Sequence, residues 1–129
     1  MSIEGALLSR LRAQVPSVAG RVYAVQLPQD TELPAITYQR VATAYTHVSG
    51  SRAKSVRARW QISCWDSRYA GALQAADEAL AALDRFAGTV DGTVIQQIFA
   101  DGMQETASPE LGETGLYHVA RDFVVFYEE

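Results

Sequence analysis

The sequence has little of what most small-protein chemistry needs. Its single cysteine, Cys64, rules out an internal disulfide, so the chain is expected to fold in a cytosol without oxidising help. Its two histidines, His47 and His118, lie far apart and neither has a helix-spaced partner. One cysteine and no histidine pair leave no zinc-ligand spacing, and the carboxylates show no calcium-loop spacing. There is no Gly-x-Ser-x-Gly elbow, no phosphate loop and no dinucleotide fingerprint. No apolar run approaches the roughly 20 residues of a membrane helix. The start, Met1-Ser2-Ile3-Glu4, carries an early acid and does not read as a signal peptide. These gaps argue against an enzyme and against a metal or cofactor, and no membrane partner is expected.

What is present suits one compact unit spanning residues 1–129. Apolar residues make up 48% of the chain and charged residues 20%, enough for a packed core. The net charge of −4 is unevenly spread. Arg40, Arg52, Lys54, Arg57 and Arg59 fall in a stretch without acids, whereas the chain after Trp60 is strongly acidic. A basic block on an acidic chain suits contact between copies at least as well as nucleic acid. An ordinary solvated loop is the plain alternative.

The periodicities predict helix, strands, helix, strands. Ser2 can cap a helix from Ile3 to Val15, with Ile3, Leu7, Leu8, Leu11 and Val15 on one stripe and Pro16 ending it. Extended segments are expected at 21–25 and 35–43, with a long loop over Ala44–Ser55. From Val56 to Trp65 apolar and polar residues alternate, the strongest strand signal in the chain. Asp66 or Ser67 can cap the next helix, which runs to about Phe86 with Tyr69, Leu73, Ala76, Leu80 and Leu83 on its stripe and Gly88 after its end. Two strands follow, 93–106 and 116–128. Short connections favour antiparallel pairing, so an α+β fold is expected, a mainly antiparallel sheet with two helices packed on one face.

Cys64 alternates with apolar residues and reads as a buried, inert thiol. Asp77 and Glu78 are adjacent, so they diverge on a helix and suit a solvated face. Trp60 falls on the apolar face. Trp65 falls on the opposite face, either packing on the following helix or anchoring an interface. Arg121 interrupts an apolar face, so it is paired, at a bulge, or covered on assembly.

The chain carries an ordered set of segments: Gly20-Arg21-Val22-Tyr23, Leu33-Pro34-Ala35-Ile36-Thr37-Tyr38-Gln39-Arg40-Val41, and Val56 through Asp66. The set continues with Ser67-Arg68-Tyr69-Ala70-Gly71-Ala72, Ala75-Ala76-Asp77 and Tyr117-His118-Val119-Ala120-Arg121-Asp122-Phe123. Taken in order, these segments resemble the phage tail-completion family, known for tail-to-head joining proteins. At Ala35-Ile36-Thr37 the family pattern has a bulkier residue after the proline. The resemblance implies a tail-terminator-like fold and a ring, a hexamer, on the finished tail tube at the head–tail junction of a virion. It implies synthesis in a bacterial host's cytoplasm, in a phage, a prophage or a gene transfer agent. The implied partners are further copies of the chain, the tail tube protein and the head connector, adaptor or stopper, with genomic DNA passing through the lumen unread.

A ring needs two complementary patches per subunit. The basic block and the acidic C-terminal half are expected to supply them. Arg52 and Lys54 on the 44–55 loop, Arg57 and Arg59 on the adjacent sheet face, and Trp65 would meet Glu105, Glu110 and Glu113 of a neighbour. A head-completion or connector-adaptor protein is the nearest rival. A small DNA-binding module is the rival from another class, and the overall acidity argues against it.

Overall fold

The computed structural model describes residues 2–45, 55–108 and 116–128. Helix α1 (Ile3–Gln14) starts where the Ser2 hydroxyl accepts the Gly5 N–H at 3.1 Å. It ends as Val15 donates to the Leu11 carbonyl and Pro16 opens a 3-10 turn (Pro16–Val18). Ile3, Leu7, Leu11 and Val15 are buried as expected; Ala6 joins them and Leu8 lies at the margin.

Strands β1 (Val22–Ala24), β2 (Ala35–Tyr45) and β3 (Ser55–Asp66) come next, followed by helix α2 (Tyr69–Leu83). Strands β4 (Gly88–Val90), β5 (Thr93–Ser108) and β6 (Leu116–Glu128) complete the chain. They form one sheet in the order β1-β2-β3-β6-β5-β4. Every pairing is antiparallel except β1 with β2, which runs parallel in the register Val22↔Ile36. The expected antiparallel rule fails there because the connection from Val25 to Pro34 carries the chain back without a hairpin. Strands β2 and β3 also reach beyond the expected boundaries, so Ala44, Tyr45 and Ser55 of the predicted 44–55 loop belong to strands, and residues 46–54 are not described. His47, Arg52 and Lys54 lie there, outside the described residues.

The alternation of β3 holds. Val56, Ala58, Trp60, Ile62 and Cys64 are buried beneath the two helices with Val119, Phe123, Val125 and Tyr127 of β6. The stripe of α2 is a correction. Its buried face is Gly71, Ala72, Ala75, Ala76, Ala79, Ala82 and Leu83, whereas Leu73 and Leu80 sit at the margin and Tyr69 is exposed. Small side chains let the helix approach the sheet, so alanine rather than leucine marks its inner face.

Both expected caps of α2 also change. Arg68 occupies the N-cap without a side-chain bond. Asp66, the last residue of β3, is buried, accepts the Ser67 N–H at 2.7 Å and lies against Gly71 in the first helical turn. At the other end α2 stops at Leu83, because Arg85 and Phe86 exchange hydrogen bonds with Ile98 of β5. Arg85 takes the left-handed conformation expected near Gly88, and Gly88 instead begins β4. β4, three residues long, is too short to leave a periodicity in the sequence.

Side-chain bonds tie the helices to their surroundings. Arg10 donates to the Ala82 carbonyl at 2.7 Å and stacks 3.8 Å over the Phe86 ring. Glu78 of α2 accepts from both the backbone and hydroxyl of Ser17. Burial alone would raise the Glu78 carboxyl, but the bonds from Ser17 and Gln74 hold it below its ordinary value. No described helix is long and apolar enough to cross a membrane.

Candidate assembly surface

The helices cover one sheet face and no helix packs on the other, where Ala35, Thr37, Ser63 and Ala120 are nonetheless buried and the surface lies at the two ends. Across β3 and β6 this second face pairs Arg57 with Phe126, Arg59 with Val124, Gln61 with Asp122, Ser63 with Ala120 and Trp65 with His118. Period-two alternation puts the whole polar set of β3 there, so the sequence signal and the surface coincide.

The two ends of this face differ. At one end Arg57 is exposed and has no ion pair among the described residues. Arg59 binds Asp101 of β5, and Asp122 of β6 at 3.4 Å. The hydrogen bond to Asp101 leads in raising the Arg59 guanidinium above its ordinary value. Phe99 and Phe126 meet edge to face beside them, centroids 6.1 Å apart, and Phe99 is 48% exposed.

At the other end Trp65 stacks on His118, with ring centroids 4.2 Å apart and planes within 8°. The indole N–H donates to the Thr37 hydroxyl at 3.0 Å. Trp65 therefore packs along the sheet face away from the helices and not on α2. Its cross-strand partner is Ala35, fully buried, so a small residue after the proline leaves room for the indole. Trp65, Leu116 and the 25–33 segment line an open groove of about 550 Å³, more apolar than polar.

Burial lowers the His118 pKa. The unfolded chain then takes up a proton that the folded imidazole resists, so stability is full above the ordinary imidazole range and falls as pH drops through it. Urea unfolding between about pH 7.5 and 5.5 should show this loss, and His118→Gln should remove part of it.

Of the expected interface residues, the structure brings Arg57, Arg59 and Trp65 onto one face. Glu105 lies on β5, opposite Val119 of β6. Glu110 and Glu113, like Arg52 and Lys54, lie outside the described residues. Asp101 and Asp122, the acids that engage Arg59, are not among the expected counterparts. Strand register brings them together, and neither composition nor spacing along the chain carries that information. Arg121 proves to be paired, donating to Asp77 of α2 at 2.7 Å, and it faces Met103 beside a bulge in β5. Cys64 is buried and its thiol is pushed up to about 12, chiefly by desolvation. A thiol of that kind is protonated and unreactive near neutrality.

The fold is therefore a six-stranded sheet with two helices on one face and polar and aromatic residues on the other. The family model described as tail completion protein gp17 matches residues 5–128. The chain belongs to that family, a class of phage tail structural proteins. Among solved structures, one chain from the virion of a native gene transfer agent particle shares the fold, with a TM-score of 0.74 at 15% identity. That alignment covers 99% of this chain and 96% of the other. A second solved chain, 16% identical, aligns with a TM-score of 0.51 over 95% of this chain and 89% of its own. No curated protein sequence matches the chain.

Proposed function

We propose that this protein, acting as a single unit, is one subunit of a hexameric ring at the head-proximal end of a long phage tail. The ring ends growth of the tail tube and presents a surface to the head connector or stopper, while DNA passes through its lumen unread. The observation that carries this reading is the family match over residues 5–128. The sheet face away from the helices supports it, since Arg57, without an ion pair among the described residues, stands opposite Phe126 next to exposed Phe99, the kind of mixed surface that subunit contacts use. Arg52 and Lys54, between β2 and β3 in the sequence, would reach a neighbouring subunit or the tube ring below, and Trp65 would add an anchor. Glu105, Glu110 and Glu113 are the acidic counterparts in this scheme.

The reading is tested by mixing the purified protein separately with unfinished tails and with filled heads, then imaging both. Rings on the tail tips are the expected result. Decoration of heads alone would move the protein to the head side of the neck.

Charge reversal at Arg57 tests the surface. Arg57→Glu leaves every described ion pair intact, so its fold should be unchanged while tail binding falls about tenfold or more. Arg59→Glu is a poor substitute, because it would place a third carboxylate beside Asp101 and Asp122 and weaken the fold itself. Full tail binding by Arg57→Glu would remove Arg57 from the contact.

A further inference from the structure

The sheet's two long outer strands are each covered over only half their length. On β2, the strand β1 pairs with Ile36 to Tyr38, and the Val25 N–H reaches the Tyr38 carbonyl at 2.8 Å. Beyond that point, no described segment pairs with the outer edge of β2 up to Tyr45. On β5, β4 pairs with Thr93 to Ile95, residues 85 and 86 pair with Ile98, and Asp84 accepts the Ala100 N–H at 2.9 Å. Beyond Ala100, no described segment pairs with the outer edge of β5 up to Ser108. The two open half-edges lie on opposite sides of the sheet and at opposite ends of it.

We infer that the open half-edge of β2 in one copy pairs, antiparallel, with the open half-edge of β5 in the next. The inference rests on the ring reading above and names the surface by which the ring is held. Three features of the backbone favour a second copy as the occupant.

The first is direction. Successive pairings from β2 through β3 and β6 to β5 are all antiparallel, so β2 and β5 run oppositely. Placing a second sheet beside the first in the same orientation therefore continues an antiparallel ladder.

The second is hydrogen-bond phase. Ile36 and Tyr38 turn their backbone groups outward to β1, and Ile98 and Ala100 turn theirs outward to 84–86. Carried through the bulges at Arg40/Ala42 and Ala100/Met103, the register leaves Thr43 and Tyr45 facing out on β2. It leaves Met103, Glu105 and Ala107 facing out on β5. Thr43 stands opposite Ala58 and Glu105 opposite Val119, and both of those partners are buried under the helices. Pairing Thr43 with Glu105 and Tyr45 with Met103 thus matches outward groups and sheet faces together.

The third is clearance. Thr43 stands at the level of Val125 on β6 and Glu105 at the level of Val119, six residues along the same strand. With a neighbour raised by that amount, its β5 ends just above β1 of the first copy, and its β4 lies beyond Tyr45. Neither short strand is in the way. Six residues are about 20 Å, and the four long strands of one copy span about 19 Å of sheet. A sheet so staggered tilts its strands by roughly 45°, at the edge of the range in which sheets close on themselves. The contact is heterologous, the kind that closes rings.

The test uses the full chain. Thr43→Cys and Met103→Cys, diagonal neighbours in this register, are made in separate preparations, assembled on tails singly and mixed, then treated with a short bismaleimide. Cys64 is buried and does not interfere. Covalent dimers are expected only in the mixture. Thr43→Pro and Ala107→Pro each remove an outward N–H and no internal ladder bond, so the free subunit should keep its circular dichroism while ring yield falls below a tenth. Mixed cysteine variants that form rings without cross-linking, together with proline variants that form rings in full yield, would overturn the edge pairing and leave the ring reading standing. Failure of the wild-type protein to form rings on any particle would overturn both. If the proline variants do not fold, the cross-link decides.

Discussion

Gly71→Ala is expected to destabilise the protein by about 2–4 kcal/mol, although alanine is the better helix former. A methyl built on Gly71 would lie 1.6 Å from Oδ2 of Asp66 and 2.7 Å from its Cγ. Asp66 has few places to go. It is buried, at the end of β3, and its other oxygen accepts the Ser67 N–H at 2.7 Å. The substitution must therefore push α2 off the sheet or expel a carboxylate from the helix's first turn, where the helix dipole favours an anion. Urea denaturation of the two proteins measures the loss. If the contact is the cause, Gly71→Ala in an Asp66→Ala background should cost far less than in the wild type, a coupling that a double-mutant cycle reads directly. Equal costs in both backgrounds would mean that the glycine serves something other than the carboxylate.

Trp60→Ala should cost more, about 3–5 kcal/mol, a large part of the stability of a chain this size. Trp60 is 1% exposed and among the largest fully buried side chains. Tyr38 packs against it at 6.1 Å between centroids, and the Arg40 guanidinium lies 4.9 Å from its ring centre. Arg40 also pairs with Glu4 of α1, so the indole supports the link between that helix and β2. Its Nε1 is buried without a hydrogen-bond partner among the described residues. Trp60→Phe therefore loses ring area but no hydrogen bond, and should cost well under half of the alanine change. Thermal or urea unfolding of both variants tests the order. A phenylalanine variant as damaged as the alanine one would show that the indole N–H has a partner after all.

These two positions differ in how readily the sequence discloses them. Trp60 sits in the run Val56–Cys64, where strict alternation by itself assigns every side chain to a face. Gly71 sits in a helix whose stripe spacing marks only one edge of the inner face: Ala76 and Leu83 are buried, but Leu73 and Leu80 lie at the margin. The helix lies close to the sheet because its alanines and Gly71 allow it, and only the packed sheet shows which side is the near one. The charged residues divide in the same way. Alternation places Arg57 and Arg59 on one face, but the acids that hold Arg59 come from β5 and β6, 42 and 63 residues further along.

Local sequence determined the elements of this protein and the sidedness of its main strand: β3 alternates, Ser2 caps, Pro16 stops, and the ordered segments mark the family. Each depends on neighbours along the chain, within the reach of a helical turn or a strand pleat. Tertiary structure decided the parallel placement of β1, the end of α2 at Leu83, the partners of Arg59, Trp65 and Arg121, and the two half-edges left open. These are long-range pairings, set by which strand lies beside which and in what register, and a register shift of one residue exchanges every contact while leaving the local pattern unchanged.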